Sequence, residues 1–273
     1  MLKFKMNLPR RKYNITNKDL RFCFVISSYN NETNIYKNLE SVINQEYTNW
    51  RAIYINDCSN DNTERLFFEI ISKYRVSDKF IYIKNDKQMH QMYNKFRAYK
   101  LVDDDEIVCI LDGDDWLAHT NVLKLLYNKY KNSDCKVVTS MCYKYANGKI
   151  NKERYVGFYA DVVLIQRQIR KSKSYLFQHL KTGYGCLFKA IPEDYLKYNG
   201  EWLDVCTDLA EMFSVAELAN GSVCFLNEVL YIYNVENSIK YSNSSFRTTA
   251  SNRRNLIANY LYSLPPLQSL SKR

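Results

Sequence analysis

Residues 107–111, Ile-Val-Cys-Ile-Leu, form an unbroken apolar run that ends at once in Asp112-Gly113-Asp114-Asp115. A run of this length without polar alternation suits a strand buried on both faces, as in a parallel sheet covered by helices. Open α/β sheets gather their ligands outside the carboxyl ends of such strands, where these three carboxylates fall. Asp112 and Asp114 are two positions apart, so on an extended segment they face the same way and can share an oxygen-seeking cation with a phosphate. The plainer alternative is a polar turn in which Asp114 or Asp115 caps the next helix.

The same pattern recurs upstream. Residues 22–26 are apolar and end in Ser27-Ser28-Tyr29-Asn30-Asn31-Glu32, a cluster of turn formers. Residues 50–55 lead into Asn56-Asp57-Cys58-Ser59-Asn60-Asp61-Asn62-Thr63, and 80–83 form a third short run. Between these runs the apolar spacing becomes helical: Ile35, Leu39, Val42 and Ile43 within 31–45, then Leu66, Phe67, Ile70 and Ile71, then 88–101. Alternating strands and helices with short connections predict an α/β fold with a mostly parallel sheet, and the polar clusters mark its ligand edge.

The second half predicts helix over 121–131, strand over 136–145, a small strand within 183–190 and helix over 205–219, entered through Thr207-Asp208. Residues 223–233 read as a strand, or as one broken at Asn227. Residues 150–182 contain a basic run, 167–173, that suits either a flap closing over phosphate or a solvated helix face. The chain turns polar from Asn234. The division expected is a lead-in over 1–20, one domain over 21–240 with a nucleotide half (21–120) and an acceptor half (121–240), and a tail over 241–273.

Composition narrows the function. Only 7 glycines occur among 273 residues, with neither a Walker loop nor GxGxxG, so a nucleotide must be held by other means. The net charge of +10 is spread along the chain, which favours phosphate-bearing partners and offers no block resembling a nucleic-acid module. The 8 cysteines form no CxxC pair and several lie in apolar runs, so they read as reduced core residues of a cytoplasmic protein. Neither a membrane span nor a signal core is visible.

Taken together, the clusters at 25–32, 39–50, 55–63 and 112–115 resemble the motifs of family 2 glycosyltransferases, in order and in spacing, the last as their DxD motif. The resemblance covers about residues 21–145. Further stretches, 112–119, 187–189, 208–213 and 228–234, resemble a subgroup found in bacteria and large DNA viruses. It implies a GT-A fold and a hexosyltransferase that moves a sugar from a nucleotide sugar to a hydroxyl on a glycan, protein or lipid-linked acceptor. The chain departs from the pattern at Asn56, where a second acid is usual, and at Cys58 and His90, where glycine is usual. Cys58 implies a differently shaped turn.

The roles follow from the resemblance. Asp114 is the direct ligand of Mn²⁺ or Mg²⁺ and Asp112 the second ligand or a ribose contact, with Asp115 as support or helix cap. Asp57 accepts a hydrogen bond from a uracil N–H, which favours a UDP-sugar. Tyr29 stacks on the base, Glu32 reaches the ribose, and Ser28, Asn94 and Gly113 complete the nucleotide-sugar site. Asp208 is the general base of an inverting displacement, against a reading in which Asp208 and Glu211 form a helix capping box; Asp204 and Glu201 are its local competitors. His90, His119 and His179 are candidates to touch metal or phosphate. A binding module without turnover and a sugar-phosphate nucleotidyltransferase are the alternative functions.

Overall fold

The structure, a computed structural model, describes residues 19–155, 169–173, 177–236 and 244–270. Strand β1 (Phe22–Ser28) lies at the middle of a parallel block, with β2 (Trp50–Asn56) on one side and β4 (Ile107–Asp112) on the other. β3 (Phe80–Lys84) pairs with β2 and forms the outer edge. Phe22, Phe24, Ile26, Ile53, Ile55, Val108 and Leu111 are fully or almost fully buried, which is why these runs lack polar alternation. Helices α1 (Ile35–Ile43), α2 (Thr63–Lys73) and α3 (His90–Tyr99) connect these strands, α1 and α2 each burying a mainly apolar face and α3 a mixed one that includes Asn94 and Lys95. The parallel register sets Ser28 beside Asn56 and Ser27 beside Asp112. Three strands thus end at one edge.

Beyond β4 the sheet becomes mixed. The order is β3-β2-β1-β4-β8-β6-β11-β5, with β7 (Lys149–Tyr155) paired to β6 (Val137–Ala146). β8 (Lys181–Tyr184) runs antiparallel to both β4 and β6. The short strand expected within 183–190 starts earlier, and residues 185–189 form helix α5 (Gly185–Lys189) instead. Lys181 and Thr182 are fully buried although polar, so hydropathy hides half of this strand. β5 (Trp116–Leu117) pairs with β11 (Val223–Asn234), and α4 (Val122–Lys131) follows β5. β11 is continuous, with a bulge between Phe225 and Val229 that spans Asn227. A small hairpin, β9 (Lys197–Tyr198) and β10 (Glu201–Trp202), precedes α6 (Thr207–Leu218), which is buried along almost its whole length.

The polar tail contains a 20-residue helix, α7 (Ser244–Ser263), that docks through Ile257 and Leu261. Arg170 fixes it. Its guanidinium makes a two-pronged pair with Glu217 at 2.7 and 2.9 Å and donates to the Leu261 carbonyl at 2.7 Å. At Arg170, which is buried, the basic run is neither a flap over phosphate nor a solvated face, whereas Lys171 and Lys173 are exposed; residues 167 and 168 lie outside the described residues.

The expectation of a cytoplasmic protein with reduced cysteines is overturned. Cys135 and Cys224 are disulfide-bonded, with Cα atoms 5.8 Å apart. They are 89 residues apart in sequence, and the parallel pairing of β6 with β11 brings them together. Spacing alone cannot reveal such a pair, and disulfides persist where the surroundings are oxidising. Cys23, Cys58, Cys109, Cys142, Cys186 and Cys206 are free. No helix among the described residues is long and apolar enough to cross a membrane.

Candidate active site

The loop after β4 is held from three directions. The Gly113 N–H donates to the Ser27 carbonyl at 3.1 Å. A Cβ at Gly113 would lie 2.9 Å from both that oxygen and Ser28 Cα, so only glycine permits this approach. Asp112 is half-buried; its Oδ1 accepts from Gln91 Nε2 at 2.6 Å, and its N–H donates to the Tyr231 hydroxyl at 3.2 Å. Asp115 is buried and accepts from the Tyr231 hydroxyl at 2.6 Å and the Asn234 N–H at 2.7 Å. Burial, with the charges of Asp114 and Asp112, pushes its carboxyl well above the usual range. The element after this loop is β5 rather than a helix, so neither Asp114 nor Asp115 is a helix cap. Asp115 instead ties the carboxylate loop to β11, while Asp114 stays half-buried at the loop surface.

The other nucleotide-site candidates fall into two groups. Ser28, Asp57 and Asn94 are buried and already bonded. The Ser28 hydroxyl accepts from Tyr54 Oη at 2.8 Å and Asn31 Nδ2 at 2.9 Å. Asp57 Oδ1 accepts from Asn85 Nδ2 and the Met89 N–H, and Oδ2 accepts from the His90 N–H at 2.9 Å. Asn94 Oδ1 accepts from Asn85 Nδ2 at 2.7 Å. This network pins the entrance to α3. Tyr29, 42% exposed, and Glu32 form the rim, and Glu32 Oε2 accepts from both the N–H and Nδ2 of Asn62. Cys58 and His90 both have φ of +64°. The chain thus keeps a left-handed turn at Cys58, open to glycine without strain, and the side chain is strained into it.

Asp208 faces this edge from the first turn of α6. Its Oδ2 lies 2.8 Å from Lys181 Nζ and its Oδ1 3.7 Å from Lys95 Nζ. Lys95 also reaches Glu211 at 3.1 Å and Asp112 at 3.9 Å. Burial works to raise the pKa of Asp208, but Lys181 and then Lys95 overcome it and hold the carboxyl well below its usual range. The capping box does not form: Glu211 is fully buried and accepts from Tyr99 Oη at 2.6 Å and from Lys95. Asp204 is occupied by Arg253, with contacts from 2.9 to 3.2 Å, and Glu201 is exposed on β10.

The histidines separate. His119 is exposed and accepts from the Asn121 N–H at the start of α4. His90 presents an exposed side chain beside the Asp57 loop. His179 is buried, stacks on Tyr231 and Tyr233 at 4.5 and 5.4 Å, and has Nε2 3.5 Å from Lys181 Nζ. Burial, then Lys181, pushes its pKa well below the ordinary value, so the ring is neutral. Lys95, Lys181, Gln91 and Glu211 were not foreseen from the sequence. A weak signal existed for α3, where Gln91, Lys95 and Tyr99 recur at intervals of four on one helix face. Among the described residues no group of three or more His, Cys, Asp or Glu side chains is arranged to hold a metal by itself.

S. aureus TarS (residues 1–349, crystallised with UDP-GlcNAc) superposes with a TM-score of 0.61 at 20% identity, over 79% of this chain and 58% of that one. The mannosyltransferase PcManGT of Pyrobaculum calidifontis, in complex with GDP-Man and Mn²⁺, gives 0.54 at 13% identity, over 94% and 77%. At these identities the likeness is one of fold, and the fold is GT-A-like. The EpsE protein of Bacillus subtilis (strain 168) is 29% identical over 91 residues, 33% of this chain and 32% of its own length. The chain thus matches about a third of that relative and covers under two thirds of the TarS chain. The profile of glycosyl transferase family 2 matches residues 23–194, which takes in the three strand ends, Gly113 to Asp115 and both lysines. With most of its length inside that match, the chain belongs to glycosyl transferase family 2.

Proposed function

We propose that this chain moves a sugar from a UDP-sugar to an acceptor hydroxyl with inversion at the anomeric carbon, assisted by a divalent cation. The observation that carries the reading is the meeting of two carboxylate sets from different elements. Asp112 ends β4 and Asp208 opens α6, and the Lys95 ammonium lies within 4 Å of both, at 3.9 and 3.7 Å. The structures of TarS and PcManGT hold UDP-GlcNAc in one case and GDP-Man with Mn²⁺ in the other, which supports a nucleotide-sugar donor.

Asp114 and Asp112 fit a cation that completes its shell with donor phosphates and water, since Mg²⁺ and Mn²⁺ are commonly held by one or two carboxylates plus substrate oxygens. When bound there, such a cation would offset the charge of the leaving diphosphate. Asp114 takes the direct-ligand role by its place in the DxD motif, while Asp112 Oδ1 receives Gln91 and faces Lys95. Uridine preference rests on Asp57: Oδ1 takes two hydrogen bonds and Oδ2 one, so Oδ2 retains acceptor capacity for a uracil N–H. Tyr29 on the rim offers an exposed ring for stacking.

In the transfer, the acceptor oxygen forms a bond to the anomeric carbon while the bond from that carbon to the diphosphate oxygen breaks, and the nucleoside diphosphate leaves with the electron pair. The acceptor proton goes to Asp208. A carboxylate so strongly held in its ionised form is a weak base toward a free alcohol, so the proton moves late, once the attacking oxygen has become acidic. The acceptor is a hydroxyl on a glycan, protein or lipid-linked saccharide. The bacterial or viral subgroup rests on the motifs quoted above.

A panel of nucleotide sugars with Mn²⁺ tests the reading by donor hydrolysis and transfer. Asp114→Ala should abolish turnover, and Asp208→Asn should lower kcat by about 10²-fold or more with UDP affinity intact. Full turnover of Asp114→Ala in EDTA would remove the cation from the account. UDP binding without any turnover would leave a binding module.

A further inference from the structure

The transfer needs one carboxylate near the acceptor; it does not of itself require that two fully buried lysines hold that carboxylate. Lys181 and Lys95 are 0% and 1% exposed, and burying an ammonium is costly unless it is paired. The groups facing Asp208 come from four elements. Lys181 lies on β8, with His179 just before it; Lys95 lies on α3; Glu211 is one turn along α6; Asp112 stands behind Lys95 at the end of β4. A second link runs parallel to Lys95. Gln91 Nε2 donates to Asp112 Oδ1 at 2.6 Å, and Gln91 Oε1 accepts from Thr207 Oγ1 at 2.9 Å, the residue beside Asp208. One helix face, Gln91 and Lys95, therefore spans the gap between the donor-side and acceptor-side carboxylates.

We infer that Lys181 is a positioning residue for the transfer: it fixes the Asp208 carboxylate through a buried ion pair, while Lys95 and Gln91 hold that carboxylate in register with Asp112. The inference rests on the proposed reaction. Lys181 makes the shorter contact, 2.8 Å against 3.7 Å for Lys95, so it sets which Asp208 oxygen is left for the acceptor. Its direct ion pair is with Asp208, and the charge of Asp112 acts on it only after that of Asp208, so its removal should lower kcat far more than nucleotide affinity. His179 is neutral and adds no charge to the balance.

The test is a double-substitution cycle in the full chain, with UDP and Mn²⁺ as the binding probe and donor turnover as the rate. Lys181→Met should lower kcat by about 10²-fold, as expected for a reacting group displaced by about 1 Å, with UDP affinity within two-fold of wild type. The acidic limb of its kcat profile should move to higher pH, because Asp208 loses its nearer cation, and Lys181→Arg should recover part of the rate. Lys181→Met/Asp208→Asn removes both charges and so guards against a fold lost to an unpaired carboxylate. Its kcat should equal that of Asp208→Asn alone, since Lys181 acts through Asp208. An unmoved acidic limb, a parallel loss of UDP affinity, or additive losses in the double variant would each overturn the positioning role while leaving the transfer reading intact. A wild-type chain that turns over no nucleotide sugar would overturn both.

Discussion

Cys58 follows Asp57, whose carboxylate accepts the His90 N–H at 2.9 Å, and Cys58 and His90 both adopt φ of +64°. A left-handed conformation costs an ordinary residue about 1–2 kcal/mol, and glycine gives back part of that gain as chain entropy, about 0.5–1 kcal/mol. Cys58→Gly and His90→Gly should each stabilise the protein by about 0.5–1 kcal/mol in urea unfolding; a loss of stability would mean that the side chains contribute more than their strain costs. His179 gives a pH signature. Its neutral, buried ring has a pKa below that of the unfolded chain. As pH falls through about 6.5 the unfolded state gains a proton that the folded state refuses, so wild type loses stability. The stability gap between wild type and His179→Gln should therefore narrow from pH 7.5 to 5.5, by up to about 1.4 kcal/mol per pH unit. Taking the difference isolates His179 from Asp115 and Glu211, whose raised pKa values work in the opposite direction. A gap that stays constant would mean that the ring titrates normally.

At the scale of elements, the parallel half was legible because its strands are mostly apolar runs, interrupted in β2 by Arg51, and each helix buries one face. α3 was expected over 88–101 and spans His90–Tyr99, and β4 was expected over 107–111 and runs one residue further, to Asp112. β8 was legible only in part, because Lys181 and Thr182 look like surface residues in sequence and are fully buried in the fold. The same blindness hid half of the candidate site. Asp112, Asp114 and Asp208 announce themselves as acids after strands or at a helix start, whereas Lys95, Lys181 and Glu211 acquire meaning only when α3, β8 and α6 meet. Capping was the natural reading for Glu211 three residues after Asp208. Tertiary pairing with Lys95 and Tyr99 displaced it. The helix in the polar tail escaped notice because its buried contacts are few, Ile257 and Leu261 among them.

Across the whole molecule, the second half is held together by long-range clamps rather than by regular strand-and-helix alternation. Arg170 with Glu217 secures the C-terminal helix, and the Cys135–Cys224 disulfide joins the starts of β6 and β11. Closing a loop of 89 residues constrains the unfolded chain by about 4–5 kcal/mol in the chain-entropy treatment. Reduction, or Cys135→Ser with Cys224→Ser, should lower unfolding stability by several kcal/mol, up to about that figure. An unchanged urea midpoint in dithiothreitol would mean the bond contributes nothing.

The central claim is that acids at the end of β4 and at the start of α6 serve two sides of one transfer. The most direct measurement pairs turnover with UDP calorimetry for wild type, Asp114→Ala and Asp208→Asn on whichever nucleotide sugar the panel identifies. The account predicts that Asp114→Ala loses both turnover and Mn²⁺-dependent UDP binding, while Asp208→Asn loses turnover and keeps that binding. Wild-type kcat in Asp208→Asn, or Mn²⁺-dependent UDP binding unaltered in Asp114→Ala, would contradict it.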